Sequence, residues 1–174
     1  MHVLRALSRN QWLLIVTVFL AVAGVGQVWL VQLSSYRLWA FVGPHDIAVY
    51  HEEWWRSIWF VVIAPASLVF LASALMLRMP PEGVPRRAVW WGFALEGVLL
   101  TGTAAYWGPL MARLANPETG LILPLYHELM LTHWIRVAIV TVYGLLAFWM
   151  LMRSMMAGVS VLNPRGLAGL NSGA

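Results

Sequence analysis

The sequence predicts an all-α fold, an integral membrane four-helix bundle, and three observations lead to this prediction. Hydrophobic residues make up 61% of the chain and charged residues only 10%, with a mean hydropathy of +0.74. Several apolar runs exceed the roughly 18 residues that mark a transmembrane helix. The 174 residues accommodate roughly four spans of about 20 residues with short connections. We therefore expect a single membrane domain over residues 1–174 and no separate soluble domain.

The apolar runs set the predicted spans, which are residues 12–33, 56–79, 88–111 and 133–152. A signal peptide is the alternative for the first run, but the run is too long and no small-residue cleavage pattern follows it. Pro65 falls inside the second run and predicts a kink or a freed carbonyl there. Two polar loops connect the spans, 34–55 between the first and second and 112–132 between the third and fourth. The second half of the first loop is a candidate continuation of the second helix. A tail rich in Gly, Asn and Ser, 158–174, is predicted to be flexible.

The arginines predict the orientation of the bundle. All the basic residues are arginines, and seven lie near one set of span ends against four near the other set. The larger set is Arg5, Arg9, Arg78, Arg86, Arg87, Arg153 and Arg165. Because cytoplasmic loops carry the excess of positive charge, both termini are expected in the cytoplasm. The inner (plasma) membrane of a bacterium is the expected location, with both polar loops on its outer side.

Composition also excludes several classes of function. The absence of cysteine removes disulfides, thiolate metal sites and iron–sulfur clusters. The net charge of +4 and the pI of about 10.1 come from the arginines, which we interpret as signals for membrane orientation. Nucleic acid is therefore not an expected partner. The expected partners are the lipid bilayer and a lipophilic small molecule, with a homo-oligomer or a larger membrane complex left open.

Histidines and carboxylates occur together in both polar loops. Imidazole and carboxylate are ligands for iron, copper, zinc or manganese, and a helix bundle can hold such a site. The predicted metal ligands are His51, Glu52, Glu53, His127 and His133, with iron or copper as the candidate cofactor.

The spacing of these residues leaves alternatives open. His127 and His133 are six residues apart, about 240° around an ideal helix, so they converge only if the segment bends. Glu52 precedes Arg56 by four residues, the spacing of an exposed helical ion pair. Interfacial polar residues or a site for an organic ligand remain the alternatives to a metal.

Arg136 lies one turn inside the fourth predicted span. An arginine at this depth either extends outward to the interface or pairs with a carboxylate of another helix. In a functional site it would hold an anionic or enolate oxygen of a substrate, and His133 or Glu128 would act as a base. The predicted catalytic residues are therefore His133, Arg136 and Glu128.

Glu96 is the only carboxylate well inside an apolar run. A carboxylate at such a position is a candidate functional residue by default. The alternative is that the side chain is protonated, hydrogen-bonded to a neighbouring helix and serves only packing. In the predicted orientation it lies roughly 20 Å from the outer histidines. We favour packing over a proton path on this ground.

A short motif stands at the head of the fourth span: P-L-Y-H-E at 124–128, followed by H-W-I-R at 133–136. With the order of spans, loops and Pro-rich turn, it resembles a family of small four-helix membrane proteins that includes the fungal anthrone oxygenases. The resemblance covers most of the chain in layout. It implies oxidation of a lipophilic polycyclic phenol or anthrone by dioxygen. His133 and Arg136 are the positions to which the resemblance assigns functional residues of that family.

Two functions of different classes follow from the sequence. The first is a membrane oxidoreductase of the oxygenase type that acts on a lipophilic aromatic substrate, with or without a metal. The second is a non-catalytic small subunit of a larger membrane complex, in which the tryptophans and polar loops form the interface. Bound metal in the purified protein would favour the first, and stable co-purification with larger chains the second.

Overall fold

A computed structural model describes residues 8–116 and 120–162. Within these residues the chain forms four long helices: α1 (Arg9–Trp39), α2 (Ile47–Arg78), α3 (Arg86–Ala112) and α4 (Leu123–Leu162). Each helix is long and apolar enough to cross a membrane. The prediction of an all-α chain with four long apolar helices is confirmed. Residues 163–174 of the predicted flexible tail lie outside the described residues.

The helices extend beyond the predicted spans. α4 begins at Leu123, ten residues before the predicted start at His133, and much of the predicted loop 34–55 is helical. Pro124 lies in the first turn of α4. Backbone N–H groups in the first turn have no acceptor within the helix, so a proline there costs no helical hydrogen bond. Hydropathy marks only the part of a helix that suits a lipid environment, whereas backbone hydrogen bonding continues into polar sequence at either end.

Three of the helices contain a π-helical turn. These turns are Val31–Ser35 in α1, Trp59–Ile63 in α2 and Thr103–Trp107 in α3. In α2, Pro65 cannot donate to the Val61 carbonyl four residues earlier, and Gln27 Nε2 donates to that carbonyl at 2.7 Å. Single π turns are frequent at functional sites because they locally change the direction of side chains.

The four helices pack as a closed ring. α1 contacts α2 and α4, and α3 contacts the same two helices from the other side. The α1–α4 contact is close: a Cβ added at Gly144 would lie 2.7 Å from Val25 Cγ2. Small residues allow this kind of approach between apolar helices.

Two hydrophobic cores fill the ring. The core toward the N-terminus of α1 contains Leu14, Val18, Val69, Met76, Tyr143, Ala147 and Met150. The other core contains Tyr36, Trp39, Ile47, Trp107, Leu110, Met111, Leu114 and Leu129. The space between these two cores is where the polar side chains of the spans meet.

A pair of short antiparallel β-strands lies at one end of the bundle. Strand β1 (Ala115–Asn116) pairs with β2 (Gly120–Leu121). Gly120 has a φ of +79°, and a Cβ there would lie 3.0 Å from the Cα of Pro44. The connection between α3 and α4 therefore touches the connection between α1 and α2, so the two polar connections meet at one end.

Candidate ligand site

A cavity of about 100 Å³ lies inside the helix ring, between the two cores. All four helices line it, and most of its lining is apolar. The polar side chains that reach it are Gln27, Tyr36, Glu96, Thr103, His133, Arg136 and Tyr143. This volume is sufficient for several water molecules or for part of an organic ligand.

His133 is held in one orientation by α1. Its side chain is 1% exposed, and its Nδ1 lies 2.7 Å from Gln32 Oε1. Gln32 Nε2 donates to the Met130 carbonyl at 3.2 Å, so the amide oxygen faces the imidazole and can only accept. His133 Nδ1 therefore carries a proton, and Nε2 is the nitrogen with a free lone pair. Within the described part of the chain, no hydrogen bond uses this Nε2.

Tyr36 packs edge-on against this imidazole. The ring centroids of Tyr36 and His133 are 4.8 Å apart with an interplanar angle of 75°. The Tyr36 hydroxyl lies 3.5 Å from Met111 Sδ, a weak acceptor. The Tyr36 side chain lines the cavity next to the histidine, and its hydroxyl also interacts with the guanidinium of Arg136.

Arg136 is a buried cation without a carboxylate partner. Its side chain is 9% exposed, and both ion pairs found among residues 8–116 and 120–162 use Arg56 instead. The guanidinium carbon lies 5.3 Å from the centroid of the Trp107 ring, and the group also interacts with the Tyr36 hydroxyl. Its Nε is buried and has no hydrogen-bond partner in the described structure.

The environment of Arg136 makes this end of the cavity electropositive. A buried charge that lacks an opposite charge is costly, and the face of an aromatic ring compensates it only in part. Glu128, the nearest described carboxylate before Arg136 in the chain, accepts from the Tyr106 hydroxyl instead. An anionic or carbonyl oxygen in the cavity would supply the missing partner.

Glu96 occupies another part of the same cavity. Its side chain is 3% exposed and makes no hydrogen bond to any residue that the structure describes. It lies within electrostatic range of Tyr143, whose hydroxyl is 2.7 Å from Ser73 Oγ. The sequence predicts a packing role remote from the outer histidines, but the cavity reaches both His133 and Glu96.

The predicted metal ligands of the first polar loop do not face the cavity. His51 packs against Trp39, with ring centroids 5.4 Å apart. Glu52 and Glu53 are exposed and bind Arg56 at 2.6 and 2.9 Å. This geometry agrees with the helical ion pair that the spacing offered as the alternative.

The predicted ligands of the second loop diverge as well. α4 runs without a break from Leu123, so His127 and His133 stay on different faces: His127 is exposed while His133 is buried. Glu128 is exposed and accepts a hydrogen bond from the Tyr106 hydroxyl at 2.6 Å. Among the described residues, no group of three or more His, Asp or Glu side chains is placed to hold a metal ion.

Of the predicted catalytic residues, the structure brings together two, His133 and Arg136. Gln32 and Tyr36 join them and are not predicted from the sequence. Their spacing of four residues places them on one face of α1, which is the signal that could have indicated them. Their relation to α4 depends on helix packing, which the sequence pattern does not contain.

Comparison with known proteins yields no relatives from which a function could be transferred. The chain matches no protein-family model, no curated protein and no solved structure.

Proposed function

We propose that this chain is an integral protein of the bacterial inner membrane, with both termini in the cytoplasm. The outward faces of the helices support insertion: Phe19 is 73% exposed and Phe60 is 81% exposed. Soluble proteins rarely expose continuous apolar surface of this extent. The excess of arginine near one set of helix ends supports the orientation.

Within this bundle, the cavity binds a lipophilic aromatic molecule that carries an acidic or carbonyl oxygen, and the protein oxidises it with dioxygen. One observation carries the proposal: Arg136, buried and without a carboxylate, lies one helical turn from His133, whose Nε2 is free. The pair offers a cation for an oxygen and a base for a proton in one apolar space. The oxygenase-like motif at 133–136 supports the same assignment.

Each residue has a defined part in this reaction. Arg136 holds the substrate oxygen and stabilises negative charge on it when an enolate or phenolate forms. His133 Nε2 takes the proton, while Gln32 holds the ring through Nδ1. For an anthrone, the methylene carbon is oxidised to a carbonyl and dioxygen is reduced. One oxygen atom enters the product and the other leaves as water.

The possible metal ligands in the cavity do not fit the iron or copper that the sequence predicts. One imidazole and one carboxyl group line it, His133 and Glu96, and these two do not belong to any metal-binding group among the described side chains. Two or more imidazoles are the usual minimum for copper or non-haem iron. We therefore derive the reaction without a metal.

The test is oxygen consumption by detergent-purified protein supplied with anthrone, together with optical detection of the quinone. We expect His133→Ala and Arg136→Ala to abolish turnover while membrane insertion is retained. Arg113→Ala is the matched control, because Arg113 is exposed and, among the described residues, bonds only to the Pro109 carbonyl. Full activity in both cavity variants would remove this motif from the site. An inactive wild-type protein that co-purifies with larger chains would favour the non-catalytic subunit.

A further inference from the structure

Glu96 and Tyr143 are buried polar groups of the cavity that the proposed reaction does not use. We propose that Glu96, Tyr143 and Ser73 form a second binding subsite, which takes a hydroxyl group at the end of the ligand remote from Arg136. This inference rests on the proposed function, since it assumes that Arg136 holds the other end. It makes the ligand an elongated aromatic molecule with two oxygen functions.

Glu96 is the first support for this subsite. Burying a carboxyl group without a hydrogen bond is unfavourable, because the group loses its contacts with water and gains none in return. Glu96 is 3% exposed and has no such bond in the described chain, yet it lines the cavity. Gln27, which also lines the cavity, donates its amide to the Val61 carbonyl and not to Glu96. The carboxyl group is therefore free to bind what enters the cavity.

The second support is the pair of hydroxyls beside it. Tyr143 Oη and Ser73 Oγ lie 2.7 Å apart, and either can be the donor. A pair of hydroxyls has two protons, and the bond between them uses only one. When Ser73 donates, the Tyr143 proton has no acceptor among the hydrogen bonds of the described residues, so it can serve a ligand.

These groups together match the chemistry of a hydroxyl. The Glu96 carboxyl accepts and the Tyr143 hydroxyl donates, whereas a hydroxyl group does both. A ligand hydroxyl can thus donate to Glu96 and accept from Tyr143 in one position. The guanidinium of Arg136, at the other end of the cavity, takes the anionic end of a ligand.

The distance between the two ends limits the length of the ligand. Arg136 and Tyr143 are seven residues apart on one face of α4, which is roughly 10 Å along the helix axis. The polar ends are separated by apolar lining such as Val140 and Leu99. One or two fused aromatic rings between the oxygen functions suit this arrangement.

The test uses two pairs of probes that differ only in the remote hydroxyl: benzoate with 4-hydroxybenzoate, and 2-naphthoate with 6-hydroxy-2-naphthoate. Binding to the purified protein is measured by calorimetry. In the wild type, we expect the hydroxyl to tighten binding about tenfold in at least one pair, the usual net gain from one hydrogen-bonded group. Glu96→Leu should remove this gain while the unhydroxylated probes still bind.

Two further variants make the test specific. Tyr143→Phe should reduce the gain with little change in side-chain size, and it replaces Glu96→Leu if that variant does not fold. Thr103→Val is the matched control: Thr103 also lines the cavity, but its hydroxyl already donates to the Leu99 carbonyl at 2.7 Å. The gain should persist in this variant.

The outcomes separate the subsite from the function on which it rests. Equal affinity within both pairs in the wild type would overturn the subsite and leave binding at Arg136 standing. A gain that survives in both Glu96→Leu and Tyr143→Phe would also overturn it. If no probe binds the wild type, or if Arg136→Ala does not weaken binding, the proposed function fails together with the subsite.

Discussion

Gln32 and His133 lie 101 residues apart in the chain and share a buried hydrogen bond of 2.7 Å between Oε1 and Nδ1. The second hydrogen bond of Gln32, from Nε2 to the Met130 carbonyl at 3.2 Å, determines which atom faces the imidazole. The proton on His133 is thereby assigned to Nδ1 by the amide of another helix. This contact joins α1 to α4 and aims the remaining nitrogen at the cavity.

Replacing Gln32 with leucine should reduce turnover more than ligand binding. The substitution leaves His133 Nδ1 without an acceptor and frees the ring to turn, so we expect a loss of roughly 10- to 100-fold in kcat, less than complete loss of the base. Steady-state oxygen consumption measures it. His127→Ala is the control, because His127 is exposed on another face of α4. An unchanged kcat in the Gln32 variant would mean that the ring orientation does not matter.

Replacing Arg136 with methionine should stabilise the empty protein. Arg136 is 9% exposed with no carboxylate partner in the described chain. Exchange of buried charged groups for apolar side chains of similar size often gains on the order of 1–4 kcal/mol. Thermal unfolding in detergent should show a higher Tm, while binding of 2-naphthoate is lost. Arg113→Met should change neither. A lower Tm in the Arg136 variant would assign this arginine a structural role.

Glu96→Gln should retain stability and turnover. The amide keeps the shape of the side chain and its hydrogen-bonding capacity, and Glu96 has no ion pair among the described residues to lose. Unfolding in detergent and oxygen consumption are the two measurements. A large loss of turnover with unchanged stability would point to a proton path through this carboxyl group.

Gly144→Leu should destabilise the bundle. A Cβ at this position would lie 2.7 Å from Val25 Cγ2, so α1 and α4 would have to move apart. Overpacking of this kind costs on the order of 1–3 kcal/mol, which should appear as a lower Tm in detergent. Gly97→Leu is the matched control, since a Cβ at Gly97 has no neighbour within 4 Å. Equal Tm values for the two variants would contradict the close α1–α4 crossing.

Metal analysis of the purified protein should find no stoichiometric iron or copper, and dialysis against a chelator should leave oxygen consumption unchanged. The reason is that His51, His127 and His133 have separate environments in the structure. Stoichiometric metal that disappears in a His127→Ala, His133→Ala double variant would restore the metal site that the sequence predicts.

The sequence by itself determined the number and nature of the helices. Apolar runs of this length are typical of membrane-spanning helices, and the four runs correspond to α1–α4. The motif at the head of the fourth span likewise identified His133 and Arg136, which the structure places at one cavity. These are local properties, because each depends on the composition of a single segment.

Only the tertiary structure decided which polar residues meet. Gln32, Tyr36 and Glu96 come from α1 and α3, and their approach to His133 depends on how the helices cross. The continuity of α4 likewise separates His127 and Glu128 from His133, although all three share one short stretch of sequence. Helix periodicity shows which residues share a face only when the ends of the helix are known. Which of these faces lines the site then depends on how the other helices pack against it.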